Sequence, residues 1–309
     1  MRPLLACVAL TLALAAAACG TGAPRSQTTA PSPTPAASAS SVVTSSSSHT
    51  PRTPAVPHTL RTLARPTPPA TVSAFADPGR LATTLAAAER AIADPATPDG
   101  ELRAWAWAQQ QAYRDLVAHP EWRQVARDAL PPQLHRLLEL NVHAGEQLRR
   151  LTEPREQLPD WRIVPAPPPE ELRAHYDRAQ AESGVDWSYL AAIHLVESRF
   201  GRIRGDSVAG AKGPMQFLPS TWEAYGEGDI EDHGDAIRAA ARYLVAHGAP
   251  AEMARALYAY NHSDLYVDGI AAYAEAMRTF PQAFRAYYHW RVYYRTVDGD
   301  VVLEEGFGT

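Results

Sequence analysis

The chain has 309 residues, a formal net charge of -5 at pH 7 and 20% charged residues. That acidic balance excludes a general nucleic-acid binder, which presents a basic excess, and leaves a neutral or mixed-charge polymer open as substrate. Residues 1–18 begin with Arg2, run almost wholly apolar from position 3 and end in Ala16-Ala17-Ala18 before Cys19. This is the pattern of an export signal, too short for a spanning helix. The other cysteine, Cys7, lies inside that signal, so the mature protein keeps at most one thiol, forms no intramolecular disulfide, and must rest on core packing.

A cysteine directly after small residues resembles the lipobox of bacterial lipoproteins, in which the thiol is acylated and becomes the mature N-terminus. The resemblance implies lipidation at Cys19 and a place on the outer face of the cytoplasmic membrane. Ala16 stands where the lipobox usually has Leu, so a cleaved, secreted form is the alternative. Residues 19–78 are Ser, Thr, Pro and Ala with almost no large apolar residues, as in Val42-Val43-Thr44-Ser45-Ser46-Ser47-Ser48. Such a stretch buries too little surface to offset its ordering entropy and reads as a disordered linker. Roughly sixty residues reach about 45 Å as a flexible coil and about 190 Å as extended polyproline II, enough for a tethered domain to work within a cell wall.

Beyond Pro78 the pattern becomes helical. Leu102, Trp105, Gln109, Ala112 and Leu116 follow a 3.6-residue period, and Leu134, Leu137 or Leu138, and Asn141 or Val142 repeat it. Pro95, Pro98, Pro120 and Pro131-Pro132 punctuate the runs, giving a small helical domain over 79–157. Trp105, Trp107 and Trp122 read as core rather than as sugar-binding aromatics. Residues 158–169, with five prolines, form a boundary before a segment over 170–280. There a helix ends at Gly184, and Asp186 caps the next. Ser220-Thr221-Trp222-Glu223 fits a capping box, Asp235 heads a helix closed by Gly248, and Tyr266, Ile270, Tyr273 and Met277 begin another stripe. In the extension over 281–309, Asp298-Gly299 between two β-prone runs predicts one antiparallel hairpin.

Within 170–280 the apolar run from Trp187 ends in a carboxylate, Glu197, at the edge of the stripe formed by Trp187, Leu190 and Ile193 or His194. Burial and the negative end of the helix both disfavour its charged form, which suits a proton donor at neutral pH. His194, three residues earlier, reads as structural.

Glu197-Ser198, then Gly210-Ala211-Lys212-Gly213-Pro214-Met215-Gln216-Phe217, then Ala259-Tyr260-Asn261 resemble in order and spacing the signature of the lytic murein transglycosylases, the soluble-transglycosylase domain related to goose-type lysozyme. Pro219-Ser220-Thr221-Trp222 is similar to the branch of that family in high-GC Gram-positive bacteria, while Pro214 replaces the family's common Leu. The resemblance implies a mainly α, lysozyme-like catalytic domain over 170–280, acting on peptidoglycan glycan strands. It implies cleavage of the β-1,4 bond between N-acetylmuramic acid and N-acetylglucosamine. Glu197 would act first as acid and then as base while the muramoyl 6-hydroxyl closes a 1,6-anhydro ring. It places Ser207 beside the site, Tyr260 on the carboxyl, and Met215, Gln216 and Asn261 along the saccharide groove. For Met215 plain packing, and for Ser198 a packing role at the helix end, are equally open.

A two-carboxylate glycosidase would need a partner for Glu197, and Asp206, Asp229, Glu231, Asp232 and Asp235 are ambiguous ones. Asp232 and Asp235 read more simply as helix caps. Two alternatives stay open: a lysozyme-type hydrolase in which Asp206 or Asp229 places a water, and a non-catalytic peptidoglycan-binding lipoprotein. The acidic loop 227–235 lacks calcium-loop spacing, so neither metal nor cofactor is expected.

Overall fold

A computed structural model describes residues 74–308; the expected export signal, Cys19 and the linker as far as residue 73 lie outside the described residues. Eleven helices and four short strands make up the described span. Asp77 caps α1 (Pro78–Ala93) by accepting from the Arg80 amide, and α2 (Asp99–Ala118) follows the turn at Pro95–Pro98. Single 3₁₀ turns at Pro120–Trp122 and Pro132–Leu134 precede α3 (Arg123–Ala129) and α4 (His135–Leu151). In each case the proline supplies the fixed φ that starts a turn and needs no amide partner there.

The second half holds α5 (Pro169–Ser183), α6 (Trp187–Ser198), α7 (Pro219–Tyr225), α8 (His233–Ala246), α9 (Met253–Tyr260), α10 (Asp264–Thr279) and α11 (Pro281–Tyr288). Gly184, in the left-handed conformation that glycine adopts without strain, ends α5, and the Asp186 carboxylate then caps α6 through the Ser188 amide. Asp232 caps α8 by accepting from the Asp235 amide, so Asp235 sits in the first turn rather than at the head.

One hydrophobic core runs from Leu81 on α1 to Trp290 after α11. Its centre is α10, packed against α4 on one side and α6 on the other. At the α10–α4 contact Gly269 lets the backbones close up, since a Cβ there would lie 2.8 Å from Leu148 Cγ. The segments expected as two domains, 79–157 and 170–280, therefore share one core. The boundary segment contributes to the structure as well. β1 (Arg162–Ile163) pairs antiparallel with β2 (Ile203–Arg204), and Ile163 packs with Val292 and Leu303 of the C-terminal hairpin.

That hairpin forms as expected between β3 (Val292–Thr296) and β4 (Gly299–Leu303), with Thr296 opposite Gly299. Its two-residue turn is Val297-Asp298, one position earlier than the Asp298-Gly299 signal, because Gly299 takes its positive φ as the first residue of β4. The expected capping box also differs. Pro219 occupies the first turn of α7, Leu218 precedes it, and no side chain caps the helix; Thr221 lies inside with its hydroxyl buried and unpartnered.

Candidate active site

Glu197 is the penultimate residue of α6, which ends when Arg199 turns left-handed at φ 54° and returns its amide to the carbonyls of His194 and Leu195. The half-buried side chain opens to two cavities. The larger, about 790 Å³, is walled by α2, α4, the 151–161 segment and the β3–β4 hairpin. The smaller is lined by Ala211, Gln216, Phe217, Leu218, Thr221, Tyr243 and Tyr260. The carboxyl thus stands where two recesses meet.

Burial pushes the Glu197 carboxyl up to about 8, against the opposite pull of a hydrogen bond that Tyr266 Oη donates to Oε1 at 2.8 Å. Among the described residues no other group hydrogen-bonds this carboxyl. The expected donor was Tyr260. Its hydroxyl instead donates to the Met215 carbonyl at 2.7 Å, because α9 ends with Tyr260 facing the 213–216 loop rather than α6. Tyr266, fully buried near the start of α10, is the residue that the sequence reading missed. A usable signal was present: a buried tyrosine in an apolar stripe needs a partner for its hydroxyl.

The loop carrying Gln216 is held from both sides. Lys212 and Phe217 exchange backbone hydrogen bonds across it at 2.8 and 2.9 Å. The fully buried Ser198 donates its hydroxyl to the Pro214 carbonyl at 2.5 Å and accepts from the Gly201 amide, while Tyr260 holds the next carbonyl. Gly213 has φ 73°, and a Cβ there would fall 2.0 Å from the Ile230 carbonyl oxygen, so only glycine passes. Gln216 itself adopts φ 51°, donates Nε2 to the Gly213 carbonyl and faces both cavities.

Glu197, Ser207, Gln216 and Tyr260 therefore meet at the cavity walls. Ser198, Met215 and Asn261 do not line either cavity; each is buried, Met215 completely. Ser207 Oγ accepts from the amides of Ala209 and Ala211, so the O–H donor is what remains for another partner. Of the five acids weighed as a second carboxylate, only Asp206 reaches a cavity, and Lys212 Nζ neutralises it at 2.6 Å. Asp229, Glu231, Asp232 and Asp235 lie in the loop and first turn leading into α8. No cluster of potential metal ligands occurs among the described residues.

The remaining aromatic and histidine expectations also have places. His194 is fully buried, shares a 2.7 Å hydrogen bond with Tyr176 Oη, and burial holds its pKa well below the usual range. Trp105 is core, Trp122 packs partly buried against it, and Trp107 donates its indole N–H to the His289 carbonyl.

Residues 175–277 match the family model of the transglycosylase SLT domain. Over 122 residues the chain is 32% identical to the membrane-bound lytic murein transglycosylase F of Thiobacillus denitrificans. The aligned region is 37% of this chain and 26% of that protein, so the chain spans about a quarter of the relative's length. No solved structure matches the chain. The span from 175 to 277, which holds Glu197, Ser207, Gln216, Tyr260 and Tyr266, is the part of the chain that is similar to the transglycosylase SLT domain.

Proposed function

We propose that this protein is a peptidoglycan lytic transglycosylase with Glu197 as its single acid/base, the catalytic segment being 170–280. The observation that carries the reading is a carboxyl, pushed up to about 8, at the junction of two recesses, with Asp206, the one weighed partner that lines a cavity, tied to Lys212. With Oε1 held by Tyr266, Glu197 Oε2 would pass its proton to the bridging oxygen of the muramoyl–glucosaminyl bond. The carboxylate so formed would take the proton of the muramoyl 6-hydroxyl as that oxygen attacks the anomeric carbon, closing the 1,6-anhydro ring. Charge developing on the sugar would be met by the substrate's own N-acetyl group, towards which the Ser207 hydroxyl would donate. Ser198 and Tyr260 act as positioning residues for the loop that presents Gln216. Lipid anchoring through Cys19, outside the cytoplasm, belongs to the same reading, with secretion as its alternative.

Mass spectrometry of digests of purified peptidoglycan tests it. Anhydro ends, one water lighter than reducing ends, are expected. Reducing ends alone would replace the reading with a lysozyme-type hydrolase, and a Glu197→Gln protein that solubilises walls at the parental rate would leave only a binding protein.

A further inference from the structure

The larger cavity has a wall that this chemistry leaves unused. It is built from α2, α4, the β3–β4 hairpin and the end of α6, mostly outside residues 175–277, and Arg114, Arg149, Arg155, Arg199 and Arg295 face it. Arg114 and Arg149 share one partner, Asp300, so two cations reach a single acid. Arg295 donates to the carbonyls of Arg149 and Thr152. Arg199 makes neither a hydrogen bond nor an ion pair through its guanidinium with any described residue, and its Nε is buried without a partner. The acids along this cavity other than Glu197 and Asp300 do not compensate. Glu153, Glu156 and Asp160 are exposed, where solvent screens them, and Asp206 belongs to Lys212.

Arg199 follows Glu197 by two residues, and its left-handed backbone at the end of α6 fixes where its guanidinium enters the cavity. Burial lowers its pKa to about 10, with Tyr273 opposing and Arg114 and Arg202 adding to the fall, so it stays charged at neutral pH. A cation partly withdrawn from water is stabilised by an anionic partner, and the planar guanidinium fork matches a carboxylate.

We infer that the wall formed by Arg199 and Arg114 binds a carboxylate carried on the substrate's lactyl or peptide arm. The inference rests on the peptidoglycan reading above and deepens it. Only the muramoyl unit bears a lactyl ether, so every second sugar along a strand presents this acidic arm. A carboxylate clamp two residues from Glu197 would set the register, placing a muramoyl unit rather than a glucosaminyl unit at the acid. It would also distinguish peptidoglycan from an uncharged N-acetylglucosamine polymer.

Calorimetric titration of the full chain carrying Glu197→Gln, which blocks turnover, tests this with two ligand pairs. The first is N-acetylglucosaminyl-N-acetylmuramic acid against its lactyl methylamide. The second is the same disaccharide bearing L-alanyl-D-glutamate against the compound with both glutamate carboxyls amidated. At least one pair is expected to show the acid binding about tenfold tighter, and that pair identifies which arm is held. Adding R199Q is expected to bring the ratio to about one, and R199K to keep part of it. A ratio of one for both pairs with Arg199 intact overturns the inference, as does a ratio that survives R199Q. Should R199Q fail to fold, the comparison of ligands on the Arg199 protein still decides. Absence of anhydro ends in wild-type digests would sink the transglycosylase reading while leaving this binding ratio to be judged on its own.

Discussion

Replacing Glu197 by Gln keeps the side chain's shape and removes its titration, which turns the raised pKa into a stability measurement. In the folded protein the carboxyl moves from its ordinary 4.5 up to about 8 because burial disfavours the charge. The folded chain thus holds a proton that the unfolded chain releases. The contribution to stability is full below about 4.5 and is lost as pH rises through about 8. One proton sets a limiting slope of about 1.4 kcal/mol per pH unit. Between about pH 5 and about pH 7 the limit is near 3 kcal/mol, and water reaching a half-buried carboxylate from two cavities reduces it to about 1–2 kcal/mol. Urea unfolding followed by tryptophan fluorescence across this window should show the parent losing that much more stability than Glu197→Gln. Parallel pH dependences for the two proteins would refute the buried, protonated carboxyl. The same group should set the rate: about nine-tenths protonated near pH 7 and about one-tenth near pH 9, it predicts a roughly tenfold fall in kcat/KM.

Tyr266→Phe removes the hydrogen bond that lowers the Glu197 pKa, so the alkaline limb of the pH–rate profile should move to higher pH; an unmoved limb would separate Tyr266 from the acid. Tyr260→Phe leaves the carbonyl of buried Met215 without its donor, and should cost about 1–3 kcal/mol in urea unfolding and lower the rate by loosening the Gln216 loop. Gly213→Ala must displace either its own loop or Ile230, and should cost at least about 2 kcal/mol with a matching loss of wall-solubilising activity; a parental midpoint would contradict the tight approach.

What could be read in advance was local. Asp186, the apolar run and Gly184 defined α6 because caps and periodicity act within a few residues, and Glu197 fell near its end for the same reason. The choice between Tyr260 and Tyr266 was not local: both lie at buried positions close to the site, and only the packing of α9 against the 213–216 loop decides which hydroxyl meets the carboxyl. The proline-rich 158–169 segment looks like a linker by composition, yet Arg162 and Ile163 find strand partners some forty residues on, at Arg204 and Ile203. The arginine wall was equally hidden, since its members come from α2, α4, the end of α6 and the C-terminal hairpin. Pro219 shows a local rule losing to another: its fixed φ started α7 before the Ser220 capping box could.

The place of α10 between α4 and α6 bears on how the molecule can be divided. A chain trimmed to the span that matches the transglycosylase SLT domain would keep Glu197 and Tyr266 but strip α4 from α10, baring the flank where Gly269 meets Leu148. Such a fragment would expose apolar surface that the intact chain covers and would lack the hairpin that closes the larger cavity. In this protein the segment identifiable by likeness is shorter than the span that shares one core, and helices outside it wall the larger cavity beside Glu197.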